Sequence, residues 1–200
     1  LPVVAELAKQ TQTPLSIDTS KAEVARRCLD AGAAIVNDVS GLQDPEMVRD
    51  CAEAGAGVVV MHMQGDPRTM QLDPQYDDVV GDELAFFESR LRDLGESGID
   101  PSTVSIDPGI GFGKTREHNL QLLANLGAFG RFGRPLCLGV SRKGFIDRVC
   151  GRALADRMPG SLAVNCFAAA RGEAHILRVH DVGPTRDAAL LLDAIDRYRR

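Results

Sequence analysis

Asp107-Pro108-Gly109-Ile110-Gly111-Phe112-Gly113-Lys114 places a carboxylate ahead of three glycines in five residues. It follows Val104-Ser105-Ile106, which reads as a short buried strand, and precedes Glu117 to Leu126, which reads as a helix. A carboxylate at a strand end, followed by residues free to take positive φ, lets backbone come close to a bound molecule. Alone, the motif is also an ordinary strand-to-helix turn. The same arrangement recurs along the chain. Asp18 closes the run from Pro14, and Asn37 with Asp38 closes the run from Ala33. His62 follows the continuous apolar run Gly57 to Met61. Ser141, Arg142 and Lys143 follow Pro135 to Val140, and Arg178, His180 and Asp181 end the run from Ala174.

These residue types suit a particular ligand. Asp18, Asn37 and Asp107 offer acceptors and an amide, matched to a flat heterocycle with amino, imino and carbonyl groups. Lys143 would neutralise a ring oxygen or nitrogen. Arg178 and His180 are cationic donors suited to phosphate or diphosphate. Val39, Val59, Met61 and Phe112 would line the ring faces; core packing explains the valines and Met61 equally well, whereas Phe112 lies in a Gly-rich loop. His62 reads as an anchor for the loop after it, because no partner stands at metal-ligand spacing. His118 reads as a solvated helix residue, and His175 as a residue at the opposite end of the last strand. Ser141 lies beside two cations and has no evident base.

Elements must carry these residues to one place. Strand and helix patterns alternate throughout, which predicts a parallel sheet with helices outside. Thr19 or Ser20 would cap the second helix, Asp44-Pro45 opens the third, and Asp77 to Gly95 reads as a long one. Helices also read over Pro159 to Ala170 and Thr185 to Tyr198. The chain opens without Met, on residues that read as the middle of a helix. The expected fold is α/β: a single-domain (β/α)8 TIM barrel over residues 1–200, N-terminally truncated so that about six βα units remain. An open doubly wound sheet is the alternative. In a parallel barrel the strands' C-terminal ends gather on the face where active sites sit. Without two strands such a barrel has open edges, so the isolated chain is expected to be unstable or to associate.

Composition excludes other classes. A net charge of −5 gives no basic nucleic-acid surface. No apolar run approaches the roughly 20 residues of a membrane span. Cys28, Cys51, Cys137, Cys150 and Cys166 form no C-x-x-C pair, and a reducing cytoplasm fits them best.

The motifs Ser16-Ile17-Asp18-Thr19, Ile35-Val36-Asn37-Asp38, Val60-Met61-His62-Met63-Gln64-Gly65, Asp107 to Lys114, Gly139-Val140-Ser141-Arg142-Lys143 and Arg178-Val179-His180-Asp181 occur in one order over essentially the whole chain. In this the sequence resembles the dihydropteroate synthases, a pterin-binding family of folate biosynthesis and the target of sulfonamides. The resemblance implies a transferase that joins p-aminobenzoate to 6-hydroxymethyl-7,8-dihydropterin diphosphate, releasing diphosphate. It implies catalytic roles for Asp18, Asp107 and Lys143. Pterin and diphosphate would be held by Asp18, Asn37, Met61, Asp107, Phe112, Lys143, Arg178, Val179 and His180, and p-aminobenzoate by Ser141, Arg142 and Gly144. Position 144 is Gly where some members carry Ser, so a hydroxyl contact is lost there. The resemblance also implies Mg²⁺, a cytoplasmic homodimer, and no nucleic-acid or membrane partner. The family's Mg²⁺-binding Asn belongs to a strand upstream of this sequence, so no metal ligand is expected in the chain and full activity is not expected of it alone. Another pterin-binding barrel, such as a methyltetrahydrofolate methyltransferase domain, or a pterin-binding protein without turnover would share the Asp and Asn residues.

Overall fold

The computed structural model describes residues 1–198, along which helices and parallel strands alternate as the sequence pattern predicts. The chain forms two compact units. One comprises Leu1–Met63 with Glu83–Asp107; the other comprises Gln64–Asp82 with the chain from Pro108 onward.

The first unit holds α1 (Pro2–Gln10), β1 (Ser16–Asp18), α2 (Ala22–Asp30), β2 (Ile35–Asp38), α3 (Pro45–Ala54), β3 (Gly57–Met61), most of α4 (Val79–Glu96) and β4 (Val104–Asp107). The strands pair in parallel in the order β1-β2-β3-β4. Beyond Gly57, β3 is wholly buried, as a central parallel strand with both faces covered must be. Asp44 caps α3 by accepting from the Glu46 N–H at 2.9 Å, Pro45 occupies the first turn, and Gly55 in the left-handed region ends the helix. At α2 the expected cap is corrected. Lys21 stands at the N-cap without a side-chain cap bond, and Thr19 Oγ1 accepts from the Lys21 N–H, holding the turn before the helix. The long helix begins two residues later than Asp77, because Asp78 Oδ1 takes the Val80 N–H.

The second unit holds α5 (Arg116–Ala124), β5 (Cys137–Leu138), α6 (Gly144–Cys150), α7 (Met158–Ala170), β6 (Ile176–Leu177) and α8 (Val182–Asp196). β5 and β6 pair in parallel, Cys137 with Ile176 and Leu138 with Leu177. Both are shorter than their apolar runs. After Leu138 the chains part into loops, one of which contains Arg142 in the left-handed region at φ 57°. Among the described residues no helix is long and apolar enough to cross a membrane.

Candidate active site

Register alone places the first group of candidate residues. Asp18 lies beside Asn37, Asn37 beside Val59, and Val59 beside Ser105. Residues paired across a parallel ladder share a face, and so do residues two apart on one strand. Met61 and Asp107, themselves paired, lie two beyond Val59 and Ser105. Asp18, Asn37, Val59, Met61 and Asp107 therefore share one face of the first unit's sheet. Asn37, Met61 and Asp107 are buried there, and Asp18 at the sheet's end is exposed. Two carboxylates, an amide and an apolar floor thus stand in adjacent rows.

Asp38, one residue on, points the other way and does different work. Its carboxylate accepts from the Ser40 N–H (2.8 Å), the Ser40 hydroxyl (2.7 Å) and the Leu42 N–H (3.1 Å). It thereby holds a turn in which Gly41 and Leu42 take positive φ. Arg90 of α4 donates to the Gly41 and Leu42 carbonyls from outside that turn.

His62 is an anchor, as expected, but to a helix. Its Nδ1 lies 3.2 Å from Oε1 of Glu83, a fully buried carboxylate on α4, and its ring meets Phe86 edge-on at 5.0 Å. Sequence reasoning missed Glu83, because an acid inside an amphipathic helix carries no local sign of burial. The His62 N–H also continues the ladder onto the Asp107 carbonyl at 3.0 Å.

In the second unit the Gly-rich loop and Lys143 come together. The Lys143 ammonium donates to the Ile110 carbonyl and lies 4.6 Å from the centre of the Phe112 ring. Its stem runs along Gly111, where a Cβ would come within 3.2 Å of Cδ. Lys114, which drew no role from the sequence, is 1% exposed, and its ammonium donates to the Gly109 (3.2 Å) and Phe112 (3.1 Å) carbonyls. His118 is corrected from a solvated residue to a capping one. Thr115 Oγ1 accepts from the His118 N–H and His118 Nδ1 from the Thr115 N–H, which closes a capping box on α5.

The loops after β5 and β6 are stapled together. Ser141 Oγ accepts from the His180 N–H at 3.2 Å and lies 2.9 Å from His180 Nδ1, so the hydroxyl with no evident base in sequence meets an imidazole. Arg142 makes a two-pronged bond to Asp181 (3.0 and 2.6 Å). That hydrogen bond holds the Asp181 carboxyl below the usual carboxylate range and raises the Arg142 guanidinium further. The strained Arg142 backbone is gripped on both sides: its N–H donates to Ser161 Oγ at 2.8 Å, and its carbonyl accepts from Arg157 at 3.2 Å. Gly144 follows, and a Cβ there would meet nothing within 4 Å. His175 caps the opposite end of β5, accepting from the Leu136 N–H.

A parallel α/β fold with acids and an amide at the strand ends of one unit, and cations on the loops after the strands of the other, has its polar residues where α/β enzymes of this class keep their active-site groups. A family model described as pterin binding enzyme matches residues 1–180. The dihydropteroate synthase of Escherichia coli K12 is 42% identical over 97% of this chain, which spans 68% of that relative. A Yersinia pestis dihydropteroate synthase, solved with a sulfonamide drug complex, superposes with a TM-score of 0.95 at 39% identity, covering 99% of this chain and 72% of that one. The Xanthomonas albilineans dihydropteroate synthase, solved with 7,8-dihydropteroate, matches with a TM-score of 0.92 at 41% identity, over 99% of this chain and 71% of that one. The chain belongs to the pterin-binding enzymes and, among them, to the dihydropteroate synthases, transferases of TIM-barrel fold.

Proposed function

We propose that this chain carries the pterin-binding and p-aminobenzoate-binding residues of an enzyme that joins 6-hydroxymethyl-7,8-dihydropterin diphosphate to p-aminobenzoate, giving 7,8-dihydropteroate and diphosphate. The observation that carries this reading is the shared face of Asp18, Asn37, Met61 and Asp107. Asn37 and Asp107, buried there, match the pterin's donor and acceptor edge, and Met61 packs on its ring. Phe112 and Lys143, already in contact with each other, take the ring's other contacts. Arg178, Val179 and His180 receive the diphosphate. The Ser141-to-Gly144 segment receives the p-aminobenzoate carboxylate, with open space above Gly144.

The C–O bond to diphosphate breaks first, and the leaving group takes the electron pair. The carboxylates of Asp18 and Asp107 stabilise the pterin cation that results. The arylamine nitrogen then attacks the methylene carbon and loses its proton. Mg²⁺ belongs to this reading as a partner of the diphosphate, since Mg²⁺ commonly combines few protein ligands with substrate phosphates. Among the described residues no group of three or more His, Cys, Asp or Glu is arranged to hold a metal.

Titration calorimetry with pterin-6-carboxylate tests the pterin site. Binding by the wild-type chain and its loss in Asp107→Asn are expected; equal binding by both would refute the assignment. We also propose a cytoplasmic homodimer. Exposed apolar residues on α7 and α8, including Phe167, Leu190, Leu191 and Ile195, suit burial against a second copy. A monomeric mass in sedimentation at micromolar concentration would refute the dimer.

A further inference from the structure

Every carbonyl from Gly109 to Gly113 accepts a side-chain hydrogen bond. Lys114 donates to Gly109 and Phe112, Lys143 to Ile110, Gln71 to Gly111 (2.6 Å), and the Tyr76 hydroxyl to Gly113 (3.0 Å). The cause lies in the backbone. Gly109, Gly111 and Gly113 take positive φ at alternate positions, so successive carbonyls point in different directions and join no strand or helix ladder. Among the described residues only the Gly109 carbonyl of this loop has a backbone donor, the Phe112 N–H at 2.9 Å, so side chains supply the donors for the rest, and a carbonyl shielded from water without one is costly. One N–H of the loop is also taken from outside, Gly111 donating to Asn119 Oδ1 at 2.6 Å.

Lys114 is the hub. Its ammonium is almost wholly buried, an expensive place for a charge, and it bridges carbonyls on both sides of Gly111. That bridge clamps a turn that the Phe112 N–H also closes onto the Gly109 carbonyl at 2.9 Å. The clamped turn aims the Ile110 carbonyl and the Phe112 ring at Lys143. We infer that Lys114 is a positioning residue for the pterin site. By fixing the Gly109-to-Gly113 loop it preorganises Phe112 and Lys143 before substrate arrives, with Tyr76 and Gln71 as lesser supports. The inference rests on the proposed pterin roles of Phe112 and Lys143.

The test is calorimetry with pterin-6-carboxylate on the whole chain, with thermal midpoints measured in parallel. Lys114→Met is expected to weaken pterin binding about 10- to 100-fold. Leu122→Ala, a buried change in α5 that removes none of the caps, is expected to lower the midpoint without moving the Kd. Tyr76→Phe removes a single part-buried cap and is expected to weaken binding about 3- to 10-fold. A folded Lys114→Met protein with wild-type Kd overturns the inference. If Lys114→Met does not fold, an unchanged Kd in Tyr76→Phe overturns it instead. A Kd shift in Leu122→Ala as large as that of the cap variants also overturns it, since it would show only general loosening. Lys143→Met separates the two levels. If it leaves binding intact, the pterin assignment fails and the inference with it. If it abolishes binding while the cap variants do not, the inference alone fails.

Discussion

Replacing Gly113 with Ala should damage this protein far more than the loss of one glycine suggests. At φ 61° a side chain costs about 1–2 kcal/mol wherever it sits. Here a Cβ would also run into the Gln64 carbonyl and come within 3.0 Å of the Gln64 nitrogen. Both are backbone atoms, so no rotamer change relieves the contact. Either the Gly-rich loop or the connection after β3 has to shift. That shift breaks the Tyr76 bond to the Gly113 carbonyl and the paired bonds between Gln64 and Gln75 (2.7 and 3.0 Å). At about 1 kcal/mol each these raise the total to about 4–5 kcal/mol. Gly133→Ala is the matched control, since it has nearly the same φ and nothing within 4 Å of its Cβ; it should cost about 1–2 kcal/mol. Urea unfolding of both variants measures the difference. A Gly113→Ala protein no less stable than Gly133→Ala would refute the collision argument.

Two further predictions concern titrating groups. Asp181 is held below the ordinary carboxylate range by Arg142, so the stability it adds is present above about pH 4 and is lost only as pH falls through its lowered value. The stability gap between wild type and Asp181→Asn should therefore be flat from pH 6 to 8 and close only in acid; a gap that closes between pH 6 and 7 would contradict the pairing. Burial, then the charges of Asp50 and Asp38, push the Cys51 thiol up to about 11, keeping it protonated and inert at pH 8, whereas Cys150 is exposed. Mass spectrometry after brief alkylation should find Cys150 modified and Cys51 intact, and early labelling of Cys51 would count against its burial.

Much of the site could be read in the sequence because strand periodicity is a local property. Asp18, Asn37, Met61 and Asp107 close runs of apolar residues, and period-2 geometry with parallel pairing brings strand ends into adjacent rows. The cap at Asp44-Pro45 is legible for the same reason, since it acts within one turn of its own helix. Partners distant in sequence were not legible. Nothing near His62 announces Glu83, and nothing near Ser141 or Arg142 announces His180 or Asp181, 39 residues away. Nothing next to Lys114 in sequence announces its burial, which arises only because the Gly109 and Phe112 carbonyls fold back onto its ammonium. Asn37 and Asp38 are adjacent in sequence, yet one faces the sheet row of the candidate site and the other ties down its own loop. Residue types and their order determine which chemistry the chain carries. Which groups are spent on one another and which are left for a ligand depends on contacts that only the tertiary fold creates.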